Sequence, residues 1–106
     1  MPAAKPGEIW MTDLGMAAKV RPCLVLTSPP TSDDELNVFT VVAHTTSRRN
    51  SRWEVPIQKS FLDDEGAFDV QRIATVASVK LERRLGVLTE DEMNRVLDAL
   101  AERFGI

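Results

Sequence analysis

Apolar and polar side chains alternate along residues 8–14, Glu8-Ile9-Trp10-Met11-Thr12-Asp13-Leu14, with roughly the two-residue period of a half-buried strand. Residues 14–19 lose that period around Gly15 and read as a loop. Residues 21–28 are centred on Leu24, Val25 and Leu26 and predict a strong strand. Pro22 has no N–H for a ladder, so it belongs at the start or edge of that strand. Residues 29–35, from Pro29 to Glu35, are a polar breaker. Residues 38–44 predict the next strand, and 45–51 an exposed polar loop. Trp53-Glu54-Val55-Pro56-Ile57 alternates again and is expected to pair with the strand before that loop. Asp63-Asp64-Glu65-Gly66 reads as a turn, and 67–79, rich in β-branched residues, as further strand.

The period changes to a helical one over 89–104. Thr89 and Glu92 have the spacing of a capping box, in which the hydroxyl and the carboxylate each satisfy a free backbone donor. Met93, Val96, Leu97, Leu100 and Phe104 recur on one helical face, and Gly105 follows as a C-cap. Such a helix is a packing element that covers a sheet. Several short strands before one helix predict a mainly β protein, built as a small, strongly bent sheet or half-open barrel.

Composition narrows the class. With 106 residues there is room for one core, so 1–106 is expected to be one domain. An apolar content of 43% fits a globular chain. The formal net charge of -3 argues against a general nucleic-acid binder. Its distribution weakens that inference. Residues 1–62 carry seven bases against six acids, and 63–106 six bases against ten acids. The stretch 44–59 holds Arg48, Arg49, Arg52 and Lys59 against Glu54 alone, which leaves room for a basic arm. A lone cysteine, Cys23, excludes an internal disulfide and a cysteine-based zinc site, and its apolar neighbours make it a buried small hydrophobe. A single histidine, His44, excludes a two-histidine acid–base pair within one chain. No apolar stretch approaches the ~20 residues that span a bilayer, and the N-terminus lacks an apolar signal core. A soluble cytoplasmic protein with no membrane partner is expected.

Three ordered segments carry a resemblance: Pro6-Gly7-Glu8-Ile9-Trp10 with Asp13-Leu14, Val20-Arg21-Pro22-Cys23-Leu24-Val25-Leu26, and Val42-Ala43-His44-Thr45-Thr46-Ser47. With Leu85-Gly86-Val87-Leu88-Thr89 and the helix after it, the chain resembles the MazF/PemK toxins of bacterial toxin–antitoxin systems. The resemblance implies an SH3-like barrel of the MazF/CcdB type that acts as a homodimer. It implies a growth-inhibiting mRNA interferase that cuts single-stranded RNA at specific sequences, without metal or other cofactor. A cognate antitoxin would wrap the dimer and block its groove.

Metal-free cleavage of RNA uses the ribose 2′-hydroxyl as nucleophile. A proton must leave it, another must reach the departing 5′-oxygen, and fixed donors must meet the charge on the phosphorane oxygens. The resemblance makes Arg21, of the pair Arg21-Pro22, catalytic. A guanidinium fork suits a phosphate, and Pro22 restricts Arg21 to extended backbone. The plain alternative is a surface arginine at a strand entrance. Since arginine stays protonated, it serves as clamp and proton donor, and no base is evident. Thr45 matches the family's threonine that steadies the transition state; otherwise it only starts a turn. Thr46 and Ser47 can share that role. Strand alternation turns His44 to the face opposite Thr45, in a structural role in the core or at the surface, with secondary participation through the dimer left open. Lys19, Arg48, Arg49, Arg52 and, by a looser match, Gln71 with Arg72 are expected along the RNA path. Trp53 could stack a base, but Trp53 and Trp10 both read as core residues.

The chain also departs from the family pattern. The loop after the first strand is short and lacks the glycine- and glutamate-bearing segment of many members. Ala74 and Ala77 fall where many members carry an arginine and an aspartate. Those alanines motivate one alternative, a non-catalytic member that binds RNA or a partner. Phe104-Gly105-Ile106 motivates another, since it resembles the ending of the CcdB branch, which poisons DNA gyrase; an ordinary helix cap is the simpler reading.

Overall fold

A computed structural model describes residues 3–16 and 19–106. Ala17 and Ala18, in the loop expected after the first strand, lie outside the described residues. The elements run β1 (Glu8–Asp13), β2 (Val20–Val25), β3 (Val38–Thr45), β4 (Glu54–Val55), β5 (Ala67–Ala77), β6 (Leu81–Val87) and α1 (Glu90–Phe104). They form one six-stranded sheet in the order β4-β5-β3-β2-β1-β6, with every recorded pairing antiparallel.

The centre of the sheet is buried on both faces, which explains why its central strands are apolar runs rather than clean alternations. Ile9, Leu24 and Val42 enter one core with Phe68, Val70, Val96 and Leu100. Their neighbours Trp10, Cys23, Val25, Val41 and Ala43 enter a second core on the other face. Trp10 and Cys23 are therefore core residues, as expected. Pro22 lies opposite Met11 on β1, one residue before the recorded β2–β3 pairing starts at Cys23, where its missing N–H does least harm.

Two strand assignments need correction. Only Glu54–Val55 of the segment 53–57 is strand, and it pairs with β5 rather than with the strand before the loop: Glu54 faces Asp69 and Val55 faces Phe68. Pro56 cannot continue a ladder, and the loop before Glu54 is folded around that residue's carboxylate, so it turns away from β3. The second miss is β6. Its charged centre, Glu82-Arg83-Arg84, shows no alternation, yet it pairs with β1 through a register broken twice. The run 67–79 ends early, at Ala77, where a single 3₁₀ turn (Ser78–Lys80) leads into β6.

The helix start is as expected. Thr89 Oγ1 accepts from Glu92 N–H at 3.2 Å, and the Glu92 carboxylate accepts from Thr89 N–H at 2.8 Å. Gly105 closes the helix in the left-handed region at φ 72°. Of the apolar face, Val96 and Leu100 are buried, while Leu97 and Phe104 remain exposed. Lys59 Nζ at 2.7 Å from Glu92 Oε1 and Arg95 Nη2 donating to Pro56 O at 2.7 Å tie α1 to the segment after β4.

Candidate active site

The β2–β3 register sets Cys23 opposite Ala43 and Val25 opposite Val41. Extended by two residues, it sets Arg21 opposite Thr45. Strand alternation puts both on the face of the second core, just beyond Cys23 and Ala43. Here the two strands open into a cavity of about 270 Å³ lined by Lys19, Arg21, His44, Thr45, Thr46, Ser47 and Asp63, among others. Five residues expected at the site, Lys19, Arg21, Thr45, Thr46 and Ser47, therefore meet in one place.

Thr45 is only 3% exposed. Its Oγ1 accepts a hydrogen bond from Ser47 N–H at 3.1 Å. That bond uses an oxygen lone pair and orients the hydroxyl, while the hydroxyl hydrogen stays available to donate. The turn-forming role and the donor role of this threonine are thus compatible. Lys19 reaches the cavity from a loop held by Leu14 N–H to Lys19 O at 3.0 Å and Lys19 N–H to Gly15 O at 2.7 Å. Its φ of 62° lies in the left-handed region, an uncommon place for a side chain of this size.

Sequence reasoning kept His44 away from Thr45's face, and its packing agrees. The ring meets Phe68 edge-on, with centroids 5.0 Å apart, and Phe68 belongs to the first core. His44 nevertheless lines the cavity, because the sheet ends there and both faces border the opening. Burial holds its pKa below the ordinary value, with Arg48 adding to the effect and Asp63 opposing it, so the imidazole is neutral at pH 7. Asp63 had been legible only as part of a turn; nothing in its local sequence pointed to the cavity.

Gly66 belongs to that same turn, and a close approach explains it. A Cβ there would overlap Cε1 of His44 and stand 2.9 Å from both His44 Nε2 and Thr45 O. Gly66→Ala is accordingly expected to destabilise the protein by about 1–3 kcal/mol through overpacking and to displace the imidazole. Urea unfolding checks the first effect and the His44 ring resonances the second; wild-type values for both would show that the turn yields freely.

The basic stretch is largely neutralised. Arg48 Nε contacts Glu54 Oε1 at 2.8 Å, Arg52 Nη1 contacts Glu102 Oε1 at 2.9 Å, and Lys59 is held by Glu92. Arg52 also stacks on Trp53, 4.2 Å from the ring centroid, while Arg103 lies 5.5 Å from it. Trp53 is thus only partly in the core, with cations over its ring. Arg49 is exposed, and its backbone N–H is used by Glu54. None of Arg48, Arg49, Arg52 and Gln71 is among the residues lining the cavity.

Gln71 and Arg72 stand in a bulge. Val42 pairs with Ile73 and His44 with Phe68, so on the β3 side residues 69–72 of β5 have only Ala43 to face. Buried Asp69 holds that bulge by accepting from Gln71 N–H at 2.9 Å and from Arg72 Nε at 3.3 Å. Ala74 and Ala77 pair with Val41 and Val38, toward the end of β3 remote from Thr45. Cys23 is fully buried, and burial pushes its thiol up to about 11, far from a nucleophile's range. Among the described residues, no three His, Cys, Asp or Glu side chains are grouped to hold a metal, and no helix is long and apolar enough to cross a membrane.

A family model described as PemK-like, MazF-like toxin of type II toxin–antitoxin systems matches residues 5–104. No curated protein matches the sequence. Among solved structures, an endoribonuclease in complex with its cognate antitoxin from a mycobacterial species is 27% identical, covers 98% of this chain and 97% of its own, and superposes with a TM-score of 0.80. An endoribonuclease from a mycobacterial species is 26% identical over 100% of this chain and 95% of its own, with a TM-score of 0.78. MazF from Deinococcus radiodurans, 17% identical over 100% of both chains with a TM-score of 0.79, shares the barrel-like fold.

Proposed function

We propose, from the premise that this chain belongs to the PemK-like, MazF-like toxin family of type II toxin–antitoxin systems, that it is a metal-independent endoribonuclease cleaving single-stranded RNA at specific sequences through attack of the 2′-hydroxyl. The observation that carries the reading is the meeting of Arg21 and Thr45, from adjacent strands, at one cavity that also holds Lys19. Two similar solved structures described as endoribonucleases support it.

The chemistry follows from the side chains. The 2′-oxygen attacks phosphorus, a 2′,3′-cyclic phosphate forms, and the 5′-oxygen leaves. The Arg21 guanidinium clamps the non-bridging oxygens and protonates the leaving oxygen. The Thr45 hydroxyl, oriented by Ser47 N–H, donates to an oxygen whose charge grows in the transition state. Lys19, Thr46 and Ser47 hold the scissile phosphate group, while Arg48, Arg49, Arg52 and Gln71 lie along the flanking RNA path.

The protein acts in the cytoplasm as a single-domain homodimer, and a cognate antitoxin covers the groove. The solved complex of a 27% identical endoribonuclease with its antitoxin supports that partner. Gly105 makes the ordinary helix-cap bonds, its N–H reaching Ala101 O and Glu102 O, so the C-terminal Phe104-Gly105-Ile106 needs no gyrase-binding role.

Purified protein is expected to cut single-stranded RNA in EDTA and leave 2′,3′-cyclic phosphate and 5′-hydroxyl ends. Thr45→Val, which removes the hydroxyl at nearly constant shape, should lower kcat about 100-fold with KM little changed. RNA left intact by the wild type, or ends of the opposite chemistry, would sink the reading. Cleavage by Thr45→Val at the wild-type rate would remove Thr45 from it.

A further inference from the structure

The reaction leaves one proton without an acceptor. Arg21 and Lys19 present only hydrogen-bond donors, and the hydroxyls at the cavity are poor bases. Among the described residues lining it, only His44 and Asp63 carry side chains that can take a proton. Asp63 is exposed, on the turn closed by Gly66 N–H donating to Asp63 O, so no packed core holds its carboxylate at a reacting atom.

His44 is built differently. It is 4% exposed, wedged between the Phe68 ring and the Cα of Gly66. Its Nε2 is buried with no hydrogen-bond partner among the described residues. A buried polar atom without a partner costs on the order of 1–3 kcal/mol, which adds to the cost of charging this ring and helps keep it neutral. Packing against Phe68 and Gly66 holds this ring. With the Cε1–Nε2 edge shut against Gly66, Nδ1 is the nitrogen left to meet a substrate.

We infer that His44 is the general base of the cleavage, its Nδ1 accepting the 2′-hydroxyl proton as the 2′-oxygen bonds to phosphorus and the P–O5′ bond breaks. The inference rests on the RNA-cleaving reading of the cavity. The 5′-oxygen leaves with a proton from Arg21, and the imidazolium returns one to that arginine through water. Protons therefore balance, and the products are the cyclic phosphate and a 5′-hydroxyl. The charges around the ring suit the task. Burial, with Arg48, keeps the free imidazole neutral, and Lys19 and Arg21 at the same cavity add positive charge. Asp63 opposes them and steadies the imidazolium once it forms.

The test is the pH dependence of kcat/KM for single-stranded RNA in EDTA. Wild type is expected to rise with unit slope and level off below pH ~6.5, the ordinary histidine value. His44→Gln should be slower by about 100-fold at pH 7 and lose that limb, with RNA affinity and melting temperature retained. A substrate with sulfur in place of the leaving 5′-oxygen needs no proton on departure, so it should not restore His44→Gln. A wild-type limb persisting in His44→Gln, or recovery on the sulfur substrate, overturns the assignment. If His44→Gln does not fold, the wild-type profile alone decides, because a kcat/KM with no rising limb anywhere in the acid range over which the protein stays folded overturns the imidazole base. A wild type that cuts no RNA at any pH overturns the functional reading itself, a distinct outcome.

Discussion

Arg21→Ala is expected to lower RNA cleavage by about 1,000-fold or more, roughly 4 kcal/mol of barrier. The loss is large because one guanidinium does two things that no neighbour replaces: it neutralises the phosphorane and supplies the leaving-group proton. Lys19 is the other cation at the cavity, but an ammonium has no planar fork. Arg21→Lys should therefore recover only a fraction of the activity. The fold should survive both changes. Arg21 lies at the open end of β2, only partly buried, opposite Thr12 of β1, and the cores begin beyond it at Cys23. Cleavage assays in EDTA beside thermal melts separate the two effects. An Arg21→Ala protein as active as wild type would remove Arg21 from the mechanism.

Glu54→Ala is expected to cost about 3–5 kcal/mol of stability, the range for breaking a buried charge cluster. The side chain is 1% exposed. Its Oε1 accepts from Arg48 Nε at 2.8 Å and Asn50 N–H at 2.9 Å, and its Oε2 from Arg49 N–H at 2.8 Å. Truncation leaves these donors facing each other across a void. The loop they shape follows Thr46 and Ser47 directly, so activity should fall with stability.

The same carboxylate predicts acid sensitivity. The Arg49 N–H, against the opposing effect of burial and with help from Arg48 and Asn50, holds its pKa below the ordinary value of about 4.3. Between the lowered folded value and the ordinary unfolded one, the unfolded chain binds more protons, so stability rises with pH there. Glu54's contribution is complete above about pH 4.3 and is lost as pH falls through the folded value. Glu92, held low mainly by Lys59, has the same sign. Urea midpoints measured from pH 7 to pH 3 should drop steeply at the acid end, and less steeply in Glu54→Ala. Equal slopes and equal midpoints would mean that the cluster contributes nothing.

Much of the fold was legible because its causes are local. The strand cores around Ile9, Leu24 and Val42 show as apolar runs, and the helix shows as a capping box, a 3.6-residue period and a glycine stop. The misses have non-local causes. Chain order points β4 to the strand before its loop, whereas its partner is β5. The carboxylate of Glu54 bends the loop away from β3, and β5 takes the place beside it. β6 carries no alternation because charged side chains occupy its centre, and one of them, Arg84, is used by Glu8 across the sheet at 3.0 Å. The basic arm was read from a count of charges, whereas Glu92 and Glu102, remote in sequence, pair with Lys59 and Arg52.

The candidate site divides in the same way. By itself the sequence determined that this is a small β-rich chain with a capped C-terminal helix, and that Arg21-Pro22 and Thr45 carry the family resemblance. Backbone propensity, side-chain period and residue type act over a few residues, so they can be read in order along the chain. Only the tertiary structure decided that Arg21 and Thr45 reach one cavity from adjacent strands, that His44 and Asp63 border it too, and that most of the neighbouring bases are already paired. Those facts depend on strand register and on contacts between residues tens of positions apart, where one residue of slip turns a side chain to the other face of the sheet.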